Sequence, residues 1–280
     1  MSRLTLVSRN KMFNGSHERY RHFSERGQCE MTFAVYLPPQ VLQGYRVPVL
    51  YWLPGLACAG ENFPLWSGAA RFAAQWGIAL VIPDAPVRGA GAADSAGCGL
   101  GQGAGFDADA LCGLWAAHYQ MCRYIENELP ALIEAHFPAN GQRSIAGHGI
   151  GGYGALQTAL SYPKRYAAVS AFAPVTDPAK MPWGQKAVAA RSGGSPESRA
   201  QYGITELVQT AAGRLPVLID QGSVDEFYPH ILQPQPFVDA ARGNGFNVQF
   251  NLREGYGHNY DFIATFIDSH IEFHADALGL

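Results

Sequence analysis

Short apolar runs, each closed by glycine or proline, set the rhythm of this chain. Residues 47–53 (VPVLYWL) end at Pro54-Gly55, and residues 78–82 (IALVI) end at Pro83-Asp84. Residues 143–147 run into a glycine turn, residues 167–172 end at Ala173-Pro174, residues 216–220 end at Gly222, and residues 247–252 end at Glu254-Gly255. Continuous apolar strands of this kind suit a parallel sheet covered on both faces. Residues 31–37 (MTFAVYL) alternate enough to predict an outer strand. Between the strands the period changes to three or four. Residues 115–137 carry Tyr119, Cys122, Ile125, Leu129, Leu132 and Ile133 on one stripe, which predicts a helix that Pro130 kinks or divides. Further helices are predicted over 154–162, 235–242 and 263–278. Strand and helix alternate throughout, so the class is α/β: a doubly wound, mostly parallel sheet with helices on both faces, as one domain over residues 1–280.

In such sheets ligands gather at the carboxyl ends of the strands. Those ends hold Gly55, Asp84, Gly149, Pro174, Asp225 and His258. The stretch Gly147-His148-Gly149-Ile150-Gly151 has the spacing of G-x-S-x-G, the strand-to-helix turn that carries the nucleophile of an α/β-hydrolase, with glycine where the serine belongs. An acid candidate, Asp225, and a histidine candidate, His258, follow in the chain order of that fold. Asp225 also suits a turn or a helix cap, and His258 taken alone suits an ordinary loop. Their ordered occurrence after strand ends favours the catalytic alternative. The oxyanion donors of such a site are backbone amides: one from the residue after the nucleophile, Ile150, and one from the loop 54–58, assigned to Leu56.

Composition narrows the picture. The 280 residues are 48% hydrophobic and 15% charged, with a formal net charge of -3. That balance offers no basis for nucleic acid or an anionic membrane as partner, and no apolar run approaches the roughly 20 residues of a spanning helix. The N-terminus lacks the apolar core of a secretory signal. Five irregularly spaced cysteines, with no C-x-x-C, argue against a disulfide framework or a structural zinc site and fit a reducing cytoplasm.

Over nearly its whole length the sequence resembles S-formylglutathione hydrolase, also called esterase D. The resemblance runs through Val35-Tyr-Leu-Pro-Pro39, Pro48-Val-Leu-Tyr-Trp-Leu53, Glu61-Asn-Phe63, Leu100-Gly-Gln-Gly-Ala-Gly-Phe106, Asn127-Glu-Leu-Pro130, Pro182-Trp-Gly184, Asp220-Gln-Gly222 and Glu254-Gly-Tyr256. It implies an α/β-hydrolase that cleaves S-formylglutathione to glutathione and formate in formaldehyde detoxification, and short-chain aryl esters, without metal or organic cofactor. It implies a small-molecule substrate, a homodimer, Asp225 and His258 as acid and base, and oxyanion amides at Leu56 and Ile150. Cys58 would sit near the site, Trp183 on the loop over the pocket, and His148 would support the architecture.

The departures from the family pattern are concentrated. G-H-S-M-G-G-H-G-A reads here G-H-G-I-G-G-Y-G-A, so serine becomes Gly149, methionine Ile150 and the second histidine Tyr153. A lysine is lost at Leu65-Trp66, and an acid and an aromatic are lost at Gly99 and Asp107. These segments are expected to line the pocket. Three readings follow: an esterase D-like hydrolase with weak or absent acyl-enzyme chemistry, a repurposed enzyme using His258 and Asp225 as a general base for non-covalent chemistry, or a pseudoenzyme that binds a small ligand. Cys58 is the one thiol near the turn but has no adjacent base in sequence, which favours a packing or redox role over a nucleophilic one.

Overall fold

The computed structural model describes residues 3–55, 63, 67–84, 109–110, 118–193, 195 and 202–280. Nine strands form one sheet in the order β1-β2-β3-β5-β4-β6-β7-β8-β9. They are β1 (Thr5–Met12), β2 (Gly15–Ser24), β3 (Cys29–Leu37), β4 (Val47–Leu53), β5 (Ala79–Pro83), β6 (Ala139–His148), β7 (Val169–Phe172), β8 (Val217–Gly222) and β9 (Val248–Arg253). From β5 through β4 to β9 every neighbouring pair is parallel. The pairs β1–β2, β2–β3 and β3–β5 are antiparallel. The strand expected to be outermost, β3, therefore lies inside, with two more strands beyond it. Its neighbour β2 is mostly polar, and β1 is exposed along almost its full length, so neither carries the apolar run of a buried strand.

The parallel strands β4, β5 and β7 are buried along their whole length, as their apolar sequences require. Trp52 of β4 stacks on Phe63 at 3.8 Å between ring centres, and Phe172 of β7 meets Phe262 edge-on at 5.3 Å. Helix α1 (Ala69–Trp76) packs with the long C-terminal helix Tyr260–Leu278. The helical segment expected over 115–137 is helical from Met121 onward. Its middle is a π-helical turn, Tyr124–Glu128, ahead of helix α2, Leu129–His136. Pro130 has no N–H to donate back, and the widened turn absorbs the lost bond without breaking the axis. Helix α3 (Ile150–Ser161) follows β6 directly. Then come α4 (Pro182–Ser192), α5 (Ile204–Thr210), α6 (Pro234–Gly243) and α7 (Tyr260–Leu278). Among the described residues, no helix is long and apolar enough to cross a membrane, and no group of three or more His, Cys, Asp or Glu side chains is placed to hold a metal ion.

Candidate active site

Strand β6 ends at His148, helix α3 begins at Ile150, and Gly149 makes the turn between them with φ 59° and ψ −116°. The two framing glycines are sterically required. A Cβ on Gly147 would lie 2.3 Å from the Gly151 carbonyl oxygen, and one on Gly151 would lie 2.1 Å from the Leu53 carbonyl oxygen. The first turn of α3 is thus seated directly on the end of β4. The turn is held by main chain alone. The Gly149 N–H donates to the Phe172 carbonyl at 2.9 Å, and its carbonyl accepts from the amides of Tyr153 and Val175, each at 3.1 Å. Ile150 is the first residue of the helix, so its N–H has no acceptor within α3 and lies at the positive end of the helix dipole.

The acid comes from the loop after β8. Asp225 is fully buried, and its Oδ1 accepts from the Phe227 amide at 2.9 Å. Its Oδ2 accepts from Gln221 Nε2 at 3.1 Å and faces His258 Nδ1 at 2.7 Å. Burial by itself would raise the Asp225 pKa and is the largest single influence. The bonds from His258, the Phe227 amide and Gln221 together outweigh it and hold the carboxyl below the usual aspartate value. His258 follows β9 and precedes α7, where Asn259 caps the helix by accepting from the Phe262 amide at 3.1 Å. The acid and histidine loops are bonded to each other: Ser223 N–H donates to Arg253 O, Val224 N–H to Tyr256 O, and Gly255 N–H to Ser223 Oγ. The imidazole therefore has a carboxylate fixing one nitrogen and a capped helix fixing its backbone.

The other nitrogen points at the turn. A Cβ built on Gly149 would lie 3.3 Å from His258 Nε2 and 3.6 Å from Cε1. The His148 ring centre is 4.4 Å from that of His258. Burial, and then the charge of His258, press the His148 pKa down to about 3, so His148 is neutral. A cavity of about 300 Å³ opens over this group and is lined by Gly55, Ile150, Val175, Met181, Phe227 and Leu232 together with both histidines.

The esterase family model matches residues 24–273. A solved S-formylglutathione hydrolase from Agrobacterium tumefaciens is 38% identical, covers 98% of this chain and 100% of its own, and superposes with a TM-score of 0.92. The chain belongs to the S-formylglutathione hydrolase family of esterases. Two more distant structures share the fold. An S-formylglutathione hydrolase from Staphylococcus aureus is 18% identical, with TM-score 0.71 over 98% of this chain and 99% of its own. A ferulic acid esterase from Anaeromyces mucronatus, solved with ferulic acid, is 15% identical, with TM-score 0.68 over 97% and 93%.

Within this S-formylglutathione hydrolase scaffold, Gly149, Ile150, His148, Asp225 and His258 come together at one end of the sheet. Leu56, Cys58 and Trp66 lie outside the described residues, as do Leu65, Gly99 and Asp107. Trp183 falls in α4, with its side chain outside the described part. Tyr153 is not a pocket residue. It is fully buried in α3 and its hydroxyl donates to the Tyr202 carbonyl at 2.9 Å, so that family difference is a change in the core. Sequence reasoning did not find Val175, Met181, Phe227 and Leu232 as cavity wall. They are ordinary apolar residues whose only distinction is where the fold puts them. It could have found Asn259, which directly follows His258 and precedes an apolar helix, the sequence signature of an N-cap.

Proposed function

We propose that this protein is a hydrolase of carboxylic esters or thioesters in which the acyl-enzyme route is closed and the His258–Asp225 pair acts as general base on water. One observation carries the reading: His258 Nε2 stands 3.3 Å from the place of the missing Cβ at Gly149, while Nδ1 is tied to Asp225 at 2.7 Å. A base so aimed can serve a water that takes the position of the serine hydroxyl. Nε2 takes a proton from the water as its oxygen bonds to the carbonyl carbon. The resulting oxyanion accepts from the Ile150 amide and, by family resemblance, from the Leu56 amide. On collapse the C–S or C–O bond breaks, and the imidazolium returns the proton to the leaving thiolate or alkoxide. The apolar side chains of the cavity suit an apolar acyl or aryl group. By the same family resemblance the protein is a homodimer, which light scattering on the purified chain checks, and its cysteine usage fits a reducing cytoplasm.

The test is turnover of S-formylglutathione and p-nitrophenyl acetate combined with intact-protein mass spectrometry. Turnover without an acetyl adduct, lost in the His258→Ala form, is the expected result. An adduct on the unaltered chain, or turnover indifferent to His258→Ala, would overturn the reading.

A further inference from the structure

Gln221 sits on β8 four residues before Asp225 and is fully buried. Its side-chain NH₂ makes two bonds, to the Gly222 carbonyl at 3.2 Å and to Asp225 Oδ2 at 3.1 Å. Both partners are acceptors, so the amide orientation follows from chemistry. Its Oε1, in contrast, is buried with no hydrogen-bond partner among the described residues. Methionine of nearly the same shape would leave both the Gly222 carbonyl and Asp225 Oδ2 without this donor. What the amide holds is one oxygen of the carboxylate that faces His258.

We infer that Gln221 is a positioning residue for Asp225. The inference rests on the reading of Asp225 and His258 as a catalytic pair. The carboxylate has two oxygens and could rotate to present either one. The Phe227 amide donates to Oδ1 and Gln221 Nε2 donates to Oδ2, so both oxygens of the carboxylate are held. The lone pair left on Oδ2 then meets Nδ1–H, which keeps Nε2 as the unprotonated nitrogen facing Gly149. Among the described residues Gln221 does not line the cavity and its side chain bonds Asp225, so it acts through Asp225.

The test compares Gln221→Met and Gln221→Glu in the full chain. Asp225 titration is followed by carboxyl-carbon NMR, melting is measured by calorimetry, and the kcat and KM of p-nitrophenyl acetate hydrolysis are determined. Loss of the donor should move the Asp225 titration upward by about one pH unit, the worth of one hydrogen bond to a charged acceptor. In Gln221→Met this shift should come with a roughly tenfold lower kcat at constant KM. Gln221→Glu keeps the shape and adds a neighbouring negative charge, so its Asp225 titration should rise at least as far. An Asp225 titration unmoved in both variants would overturn the positioning role, whatever the melting curves do. The separate failure of the general-base reading would show in His258→Ala turnover and leave the titration result standing.

Discussion

Serine at position 149 would put a Cβ at φ 59°, in backbone space that suits glycine, and within 3.3 Å of His258 Nε2. The strained backbone destabilises a non-glycine residue by about 1–3 kcal/mol, which for a chain of this size corresponds to a Tm lower by roughly 2–5 °C. The contact with Nε2 asks the imidazole to move by a few tenths of an ångström, about the adjustment needed to convert a van der Waals approach into a hydrogen bond to Oγ. Gly149→Ala carries the same strain and the same Cβ without a hydroxyl, so the difference between the two variants isolates the nucleophile. In an optimised serine hydrolase that nucleophile is worth about 10⁶ in kcat. A mispositioning approaching 1 Å can give back about 10² of it, leaving roughly 10⁴ for Gly149→Ser over Gly149→Ala. The assay is stopped-flow release of p-nitrophenol from the acetate, with mass spectrometry of the protein. Gly149→Ser should show a burst of one equivalent and an acetyl adduct, and the unaltered chain neither. A burst from the unaltered chain would refute the assignment of residue 149 as the nucleophile position. Equal rates for the serine and alanine variants would refute the claim that base and oxyanion donors stand in working order around it.

Other consequences can be checked independently. Asp225→Asn keeps the shape but removes the charge that orients His258, and should lower any His258-dependent turnover by up to about 10⁴; an effect below tenfold would mean the pair does not work as a unit. Stability should fall with acidification. His148 and His274 are buried neutral with pKa pressed to about 3 by burial, and His270 is shifted the same way. The unfolded chain takes up those protons near pH 6.5, so stability is complete above that value and is lost as pH falls toward 3. For His148 and His274 together the loss is roughly 3 kcal/mol by pH 5.5; a Tm that stays level between pH 7 and 5 would contradict it. Asp220, fully buried within β8, accepts from Asn251 Nδ2 and Arg253 Nε, both at 2.7 Å. Asp220→Ala should destabilise by about 3–5 kcal/mol in urea unfolding, whereas a value under 1 would show that the pair contributes little.

Much of the sheet was legible in the chain because a strand buried on both faces must be apolar at successive positions, as 47–53 and 78–82 are. The strands β1 and β2 were not legible for the converse reason. Residues such as Ser8, Arg9, Asn10 and Lys11 face solvent from an edge, and nothing in their order distinguishes them from a loop. The order of Gly149, Asp225 and His258 pointed to one site because each follows an apolar run whose end must lie at the same edge of a parallel sheet. Gln221 was invisible as more than part of a run. Its meaning depends on a carboxylate oxygen four residues away. Tyr153 misled because it is only four residues from Gly149, the spacing of one helix face, yet its side chain is fully buried with the hydroxyl on the Tyr202 carbonyl.

The turn at Gly149 is braced entirely by peptide groups, through Phe172, Tyr153 and Val175. Shape and reactivity at this point are therefore separable. The hydrogen bonds that shape the turn do not depend on which side chain, if any, the residue bears, and the positive φ is relaxed in glycine. On the proposed reading, exchanging a side chain for none at this position alters the chemistry on offer with little harm to folding. A lineage can lose a nucleophile in a single step, and the base, acid and cavity stay assembled for whatever chemistry comes next.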